Sequence, residues 1–155
     1  MPISLQRRWR PSKVIDLRTT GQEPGTCQKC GRHDLRFVHL IEHPDDGSMQ
    51  VGCECAARLC YGYDPKATES KLRNLWARRS RWLTRNWNTS RNGNDTLTFK
   101  HQGETIRVTV YRAKFGGFGC CVTVGRESFF LPGKFATTDE AKLTAFDRLA
   151  EALEW

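Results

Sequence analysis

Apolar residues along this chain switch between the alternation of a strand and the three-to-four spacing of a helix, and those switches mark its elements. Residues 13–17, KVIDL, have the composition of a short strand, and the TTGQEPGT that follows reads as loop. Residues 35–43, LRFVHLIEH, are rich in β-branched and aromatic side chains; Pro-Asp-Asp-Gly comes next, then SMQVG, which together predict a β-hairpin. CAARLCYG reads as a short helix closed by Gly62. Four further strands are expected in TLTFKH, TIRVTVYRA, GCCVTVG and SFFLP, separated by glycine-containing turns. A last helix begins at TTDEAK, with Thr138 as the expected N-cap and Asp139 and Glu140 in its first turn, and reaches LAEALEW.

Between these two regions the pattern predicts a long helix over residues 67–87, stopped by NTSRNGND, whose Asn-Gly and Asn-Asp pairs favour turns. On a helical wheel, Lys71, Asn74, Arg78, Arg81 and Arg85 fall on one stripe. Leu72, Leu75, Trp76, Trp82, Leu83 and Trp87 take the opposite side and are expected to bury, with Arg79 a misfit inside that apolar arc that calls for an acidic partner or an uncovered helix.

Charge sharpens this picture. The formal net charge is +8, and residues 66–91 alone carry eight Lys and Arg against Glu69. Residues 1–18 add five basic groups against Asp16, whereas residues 137–155 hold two basic and five acidic side chains. Such lopsidedness points to a polyanionic partner. A four-turn cationic ridge spans about 20 Å, enough to neutralise several phosphates. A membrane-surface helix would share the amphipathicity, but a protein of this size requires the apolar face for packing. No stretch of about 18 apolar residues is present, and no leader pattern, so a cytoplasmic protein without membrane association is expected.

Seven cysteines in a reducing compartment, five of them between Cys27 and Cys60, favour a metal site over a disulfide framework. In Cys27-Gln-Lys-Cys30-Gly31 the backbone can curl so that both thiolates face one cation, with Gly31 permitting the positive φ of the knuckle. Cys53 and Cys55 follow after the hairpin and close the ligand set, which makes Zn2+ the expected cofactor and Cys27, Cys30, Cys53 and Cys55 its expected ligands. The second pair is spaced C-x-C, and His33, His39 or Cys60 can stand in for Cys53. The run His39-Leu-Ile-Glu42-His43 spells a zinc-protease motif, but that motif requires a helix. A strand puts Glu42 opposite the two histidines, so they read as half-buried hairpin residues, and a four-thiolate zinc would leave no open position for substrate. No catalytic residue is therefore expected.

Two resemblances enter on these residues. CQKCG…VGCECAARL resembles the knuckle, hairpin and helix-start pattern of treble-clef zinc fingers over about 35 residues. GKFATTDEAKLTAFDRLAEAL resembles the strand-to-helix run of ethylene-response-factor-type DNA-binding domains and their integrase N-terminal relatives. That second resemblance implies a three-stranded sheet, backed by a helix, lying in the DNA major groove, with a reading face near Arg107, Tyr111, Arg112 and Arg126. The segment also resembles the α-β-β-β-α double-stranded-RNA-binding domain, although Asp139 and Glu140 stand where that family places phosphate-binding lysines. The expectation is an α+β protein: a basic arm (1–26), a small zinc-bound module (27–64), a basic linking helix (65–92), and an antiparallel three- to four-stranded sheet packed on a C-terminal helix (93–155). Its expected role is nucleic-acid binding, DNA rather than RNA, through Lys71, Arg78, Arg81, Arg85, Arg107 and Arg112; the alternative is an adaptor or inhibitor that docks on a nucleoprotein complex.

Overall fold

The computed structural model describes residues 8–155, which divide into two compact units, one ending at Trp76 and the other running from Ala77 to Trp155. The protein is α+β, with three helices and two antiparallel sheets among the described residues.

In the first unit, β1 (Arg10–Asp16), β2 (Phe37–His43) and β3 (Gly47–Val51) form a sheet in chain order. The β2–β3 hairpin falls where the alternation and the Pro-Asp-Asp-Gly turn predicted it, with His43 opposite Gly47 and His39 opposite Val51. Edge strand β1 tolerates Pro11 through a register shift between Pro11 and Lys13. One face of β2 carries Ile41 into a cluster with Cys27, Val51, Cys55, Ala56 and Cys60. Helix α1 (Cys53–Leu59) follows β3 directly.

Helix α2 (Pro65–Trp82) starts two residues before the expected Ala67 and stops five short of Trp87. Proline at the first helical position costs no hydrogen bond, and the Asp64 carboxylate accepts from the Ala67 N–H at 3.1 Å. At the other end the chain folds back. Thr84 Oγ1 donates to the Arg81 carbonyl at 3.0 Å and the Trp87 indole to the Trp82 carbonyl at 3.0 Å, so side chains replace the next helical turn. Only Trp82 of the expected apolar arc is fully buried; Leu72, Leu75, Trp76, Leu83 and Trp87 are half-buried.

The second unit holds a five-stranded sheet in chain order: β4 (Asn88–Thr89), β5 (Asp95–His101), β6 (Glu104–Arg112), β7 (Phe118–Val124) and β8 (Glu127–Phe130). The two-residue β4 lies in the stretch read as a turn, where it pairs Asn88 with Thr96 and Thr89 with Asp95. Gln102 and Gly103, both at positive φ, make the tight connection between β5 and β6. Helix α3 (Thr138–Ala152) packs on β6 and β7. Its N-cap is Thr137, one residue before the expected Thr138, and the Thr137 hydroxyl accepts from the Glu140 N–H at 3.1 Å. Ile106, Val108, Val110, Cys120 and Val122 face α3, whose Ala141, Ala145, Phe146 and Leu149 complete the core. Trp82 sits in this core with its indole donating to the Lys142 carbonyl at 2.7 Å. Cys120 is buried and Cys121 half-buried on the other face, as strand alternation requires.

Candidate metal centre and basic groove

The knuckle is built by backbone. Gly31 N–H donates to the Cys27 carbonyl and Cys27 N–H to the Arg32 carbonyl, each at 2.8 Å, with Gly31 at φ 78°. Gln28 fastens the loop to β3 twice: its N–H donates to the Gln50 carbonyl at 2.9 Å, and its side-chain oxygen accepts from the Gln50 N–H at 2.6 Å. These bonds bring the knuckle beside the start of α1. The sulfurs of Cys27, Cys30 and Cys55 lie within 4.8 Å of one another, close enough to hold a metal ion.

Cys27 is shifted toward the thiolate that ligation requires. Burial pushes the Cys27 thiol up, but the backbone N–H groups of Gly52, Cys30 and Lys29 and the Cys30 thiol outweigh it, and it settles at about 7. Cys55 moves the other way, to about 11, through burial and the neighbouring Cys27 and Cys30 sulfurs.

Cys53, the expected fourth ligand, is elsewhere. Both Cys53 and Cys55 are inside α1, where a separation of two residues turns side chains about 200° apart. One helix cannot aim both at the same ion, and Cys53 instead gathers with His39 and Glu69, their ligand atoms again within 4.8 Å. The candidate substitutes are also engaged: His33 Nδ1 lies 3.2 Å from Thr26 Oγ1, and Cys60 is buried in the apolar cluster, its thiol pushed up by burial.

His39 departs from the half-buried reading. It is fully buried (0 % exposed), with Nδ1 2.9 Å from the Tyr63 hydroxyl and Nε2 2.8 Å from Glu69 Oε1. Glu42 points to the opposite face of β2 and is exposed, so the protease arrangement does not form. Sequence reasoning missed Glu69 and Tyr63 here. A signal existed for Glu69, the lone acid in a strongly basic segment.

The basic residues sort by unit. Lys71 is exposed in the first unit. In the second, Arg78, Arg81, Trp82, Arg85, Phe146 and Trp155 line a groove of about 320 Å³. The Arg78 guanidinium lies 4.1 Å from the centre of the Trp155 ring, and that of Arg85 4.9 Å from Phe99 and 5.3 Å from Trp82. Arg81 Nε donates to the Ala77 carbonyl at 3.3 Å. No salt bridge to a described residue engages any of the three. Arg79, the misfit, forms a two-pronged pair with Asp147 at 2.7 and 3.0 Å.

On the sheet, Arg107 is exposed on the face away from α3, with Nε donating to Thr98 Oγ1 at 3.4 Å. Arg112 does not share that face. Five residues along a strand invert the side chain, which puts Arg112 on the α3 side at the strand end, 6.0 Å from the Phe118 ring. Tyr111 keeps the Arg107 face and meets Phe130 edge-on at 6.1 Å.

No family model matches the chain, and comparisons with curated proteins and with solved structures find no match. No helix among the described residues is long and apolar enough to cross a membrane.

Proposed function

We propose that this chain is a nucleic-acid-binding accessory protein, held together in its first unit by a zinc ion at Cys27, Cys30 and Cys55 and contacting phosphates through the basic end of α2. The observation that carries the reading is the trio Arg78, Arg81 and Arg85, three exposed guanidiniums around an aromatic-lined groove without a carboxylate partner among the described residues. Planar guanidiniums suit phosphate oxygens, and rings at the same place suit stacked bases. Lys71, exposed in the first unit, is a further basic contact by itself. On the open face of the sheet Arg107 and Tyr111 supply a second contact region, DNA more readily than RNA by the resemblance to sheet-based DNA readers.

Zinc is favoured by the donors. Three thiolates select a soft or borderline dication, and Zn–S bonds of about 2.3 Å set tetrahedral sulfurs about 3.8 Å apart, inside the 4.8 Å that bounds this triangle. The ion would tie the knuckle to α1, which is a structural task.

Exposed Phe115 and Phe130 (82 % and 68 %) favour a second reading, docking on a protein within a nucleoprotein complex. Equilibrium binding of the zinc-loaded full chain to labelled single-stranded DNA, duplex DNA and duplex RNA separates the two. Binding that weakens log-linearly with salt, strongest for DNA, supports the proposal; absence of salt-dependent binding to all three removes it and leaves the protein-docking reading.

A further inference from the structure

We infer that His39, Cys53 and Glu69 form a second metal site, separate from the three-cysteine cluster and suited to Zn2+. The three residues come from three different elements, β2, α1 and α2, yet their ligand atoms converge within 4.8 Å. Hydrogen bonding alone accounts for His39, whose ring nitrogens meet Tyr63 and Glu69. The Cys53 thiol reaches the same point and hydrogen-bonds Glu69, so one carboxylate draws both an imidazole and a thiol to it.

The donor set chooses the ion. One thiolate, one imidazole and one carboxylate suit Zn2+ and exclude Mg2+ or Ca2+, which take oxygen ligands. Two ligands on a tetrahedral zinc stand about 3.4 Å apart, so the 2.8 Å between His39 Nε2 and Glu69 Oε1 opens slightly to admit the ion. Tyr63 supplies what metal-bound histidines require, a partner for the other nitrogen: once the ion takes Nε2, the ring proton sits on Nδ1 and donates to the Tyr63 hydroxyl 2.9 Å away. On binding, the Cys53 thiol gives its proton to solvent, Glu69 binds as carboxylate and His39 as neutral imidazole. The two anionic ligands then cancel the dication, so the ion brings no net charge to a site whose histidine is fully buried. An entry path exists, because Cys53 and Glu69 both line a groove of about 680 Å³. Three protein ligands leave the fourth position to water or to a small anion entering from that groove.

This site stands independently of nucleic-acid binding. The test is metal stoichiometry on the full chain, stripped with chelator and titrated with Co2+ while charge-transfer and visible bands are recorded. Two equivalents are expected: a sulfur-rich centre with three-thiolate charge-transfer intensity, and a centre with about a third of that intensity. Glu69→Gln keeps the shape and a hydrogen bond to His39, so it should fold, and it should lose one equivalent while retaining the three-thiolate signal; Cys53→Ser should do the same. Stoichiometry unchanged in both variants overturns the inference. So does a single four-thiolate equivalent that weakens in Cys53→Ser and ignores Glu69→Gln, which would return Cys53 to the cysteine cluster.

Discussion

Asp16 is buried at the end of β1, and its carboxylate accepts from Arg36 at 3.1 and 2.8 Å and from the Arg18 N–H at 3.2 Å. The Arg36 guanidinium, against the opposing pull of burial, holds this carboxyl below the usual aspartate value. The sign follows from linkage. A group whose folded pKa is depressed contributes stability above its unfolded value of about 3.9, and that contribution disappears as pH falls through the folded value. Asp16→Asn should therefore destabilise by about 1–2 kcal/mol at pH 7, a reduced figure because Arg36 is partly solvated. Denaturation of both proteins at pH 7 and pH 3 checks this; the gap should narrow at pH 3. At this scale the sequence was partly legible. The misfit of Arg79 left either an acidic partner or an uncovered helix open, and only the fold could identify Asp147, which lies 68 residues away. Cys53 was expected beside Cys55 at the mouth of a short helix, whereas both residues lie inside α1, which turns them apart and leaves Cys53 outside the three-cysteine group. Arg112 was grouped with Arg107 on the reading face that the resemblance implied, although strand parity separates them.

Elements were read best where the signal is local. The β2–β3 hairpin needs only alternation and a turn, and both lie within about 17 residues. The end of α2 was misread because Leu83 and Trp87 continue the helical rhythm, while the side-chain bonds of Thr84 and Trp87 that stop it carry no periodic signature. Strand β4 exists only through its partner β5, so two residues in a polar run gave nothing to read. Trp82 is the point where α2 matters most to the second unit: it is 1 % exposed and meets Phe146 at 5.3 Å and Phe99 and Trp87 at 5.8 Å. Trp82→Ala should cost about 3–5 kcal/mol through the cavity it leaves, measured by urea denaturation. A cost below 1 kcal/mol would show that the aromatic cluster collapses without it.

For the whole molecule, the chain has two cores and a very uneven charge, and the two properties separate in experiment. Chelation should loosen the first unit selectively, because in a small module metal-binding energy is folding energy. Amide exchange is expected to lose protection across β2, β3 and α1 after metal removal, while β5, β6 and β7 keep theirs; uniform loss would contradict a metal role confined to the first unit. Fold class and charge asymmetry were legible at this scale because both are sums over many residues, whereas the aromatic lining of the Arg78, Arg81 and Arg85 groove needed Phe146 and Trp155 brought together by packing. The most direct measurement of the central claim is the salt dependence of DNA binding in the variant Arg78→Gln, Arg81→Gln, Arg85→Gln. These exposed side chains can be neutralised without opening the core. If each contacts a phosphate, the slope of log affinity against log salt should shrink by roughly 0.7 to 0.9 per residue, similarly for all sequences. A folded triple variant with unchanged affinity and slope would contradict the account.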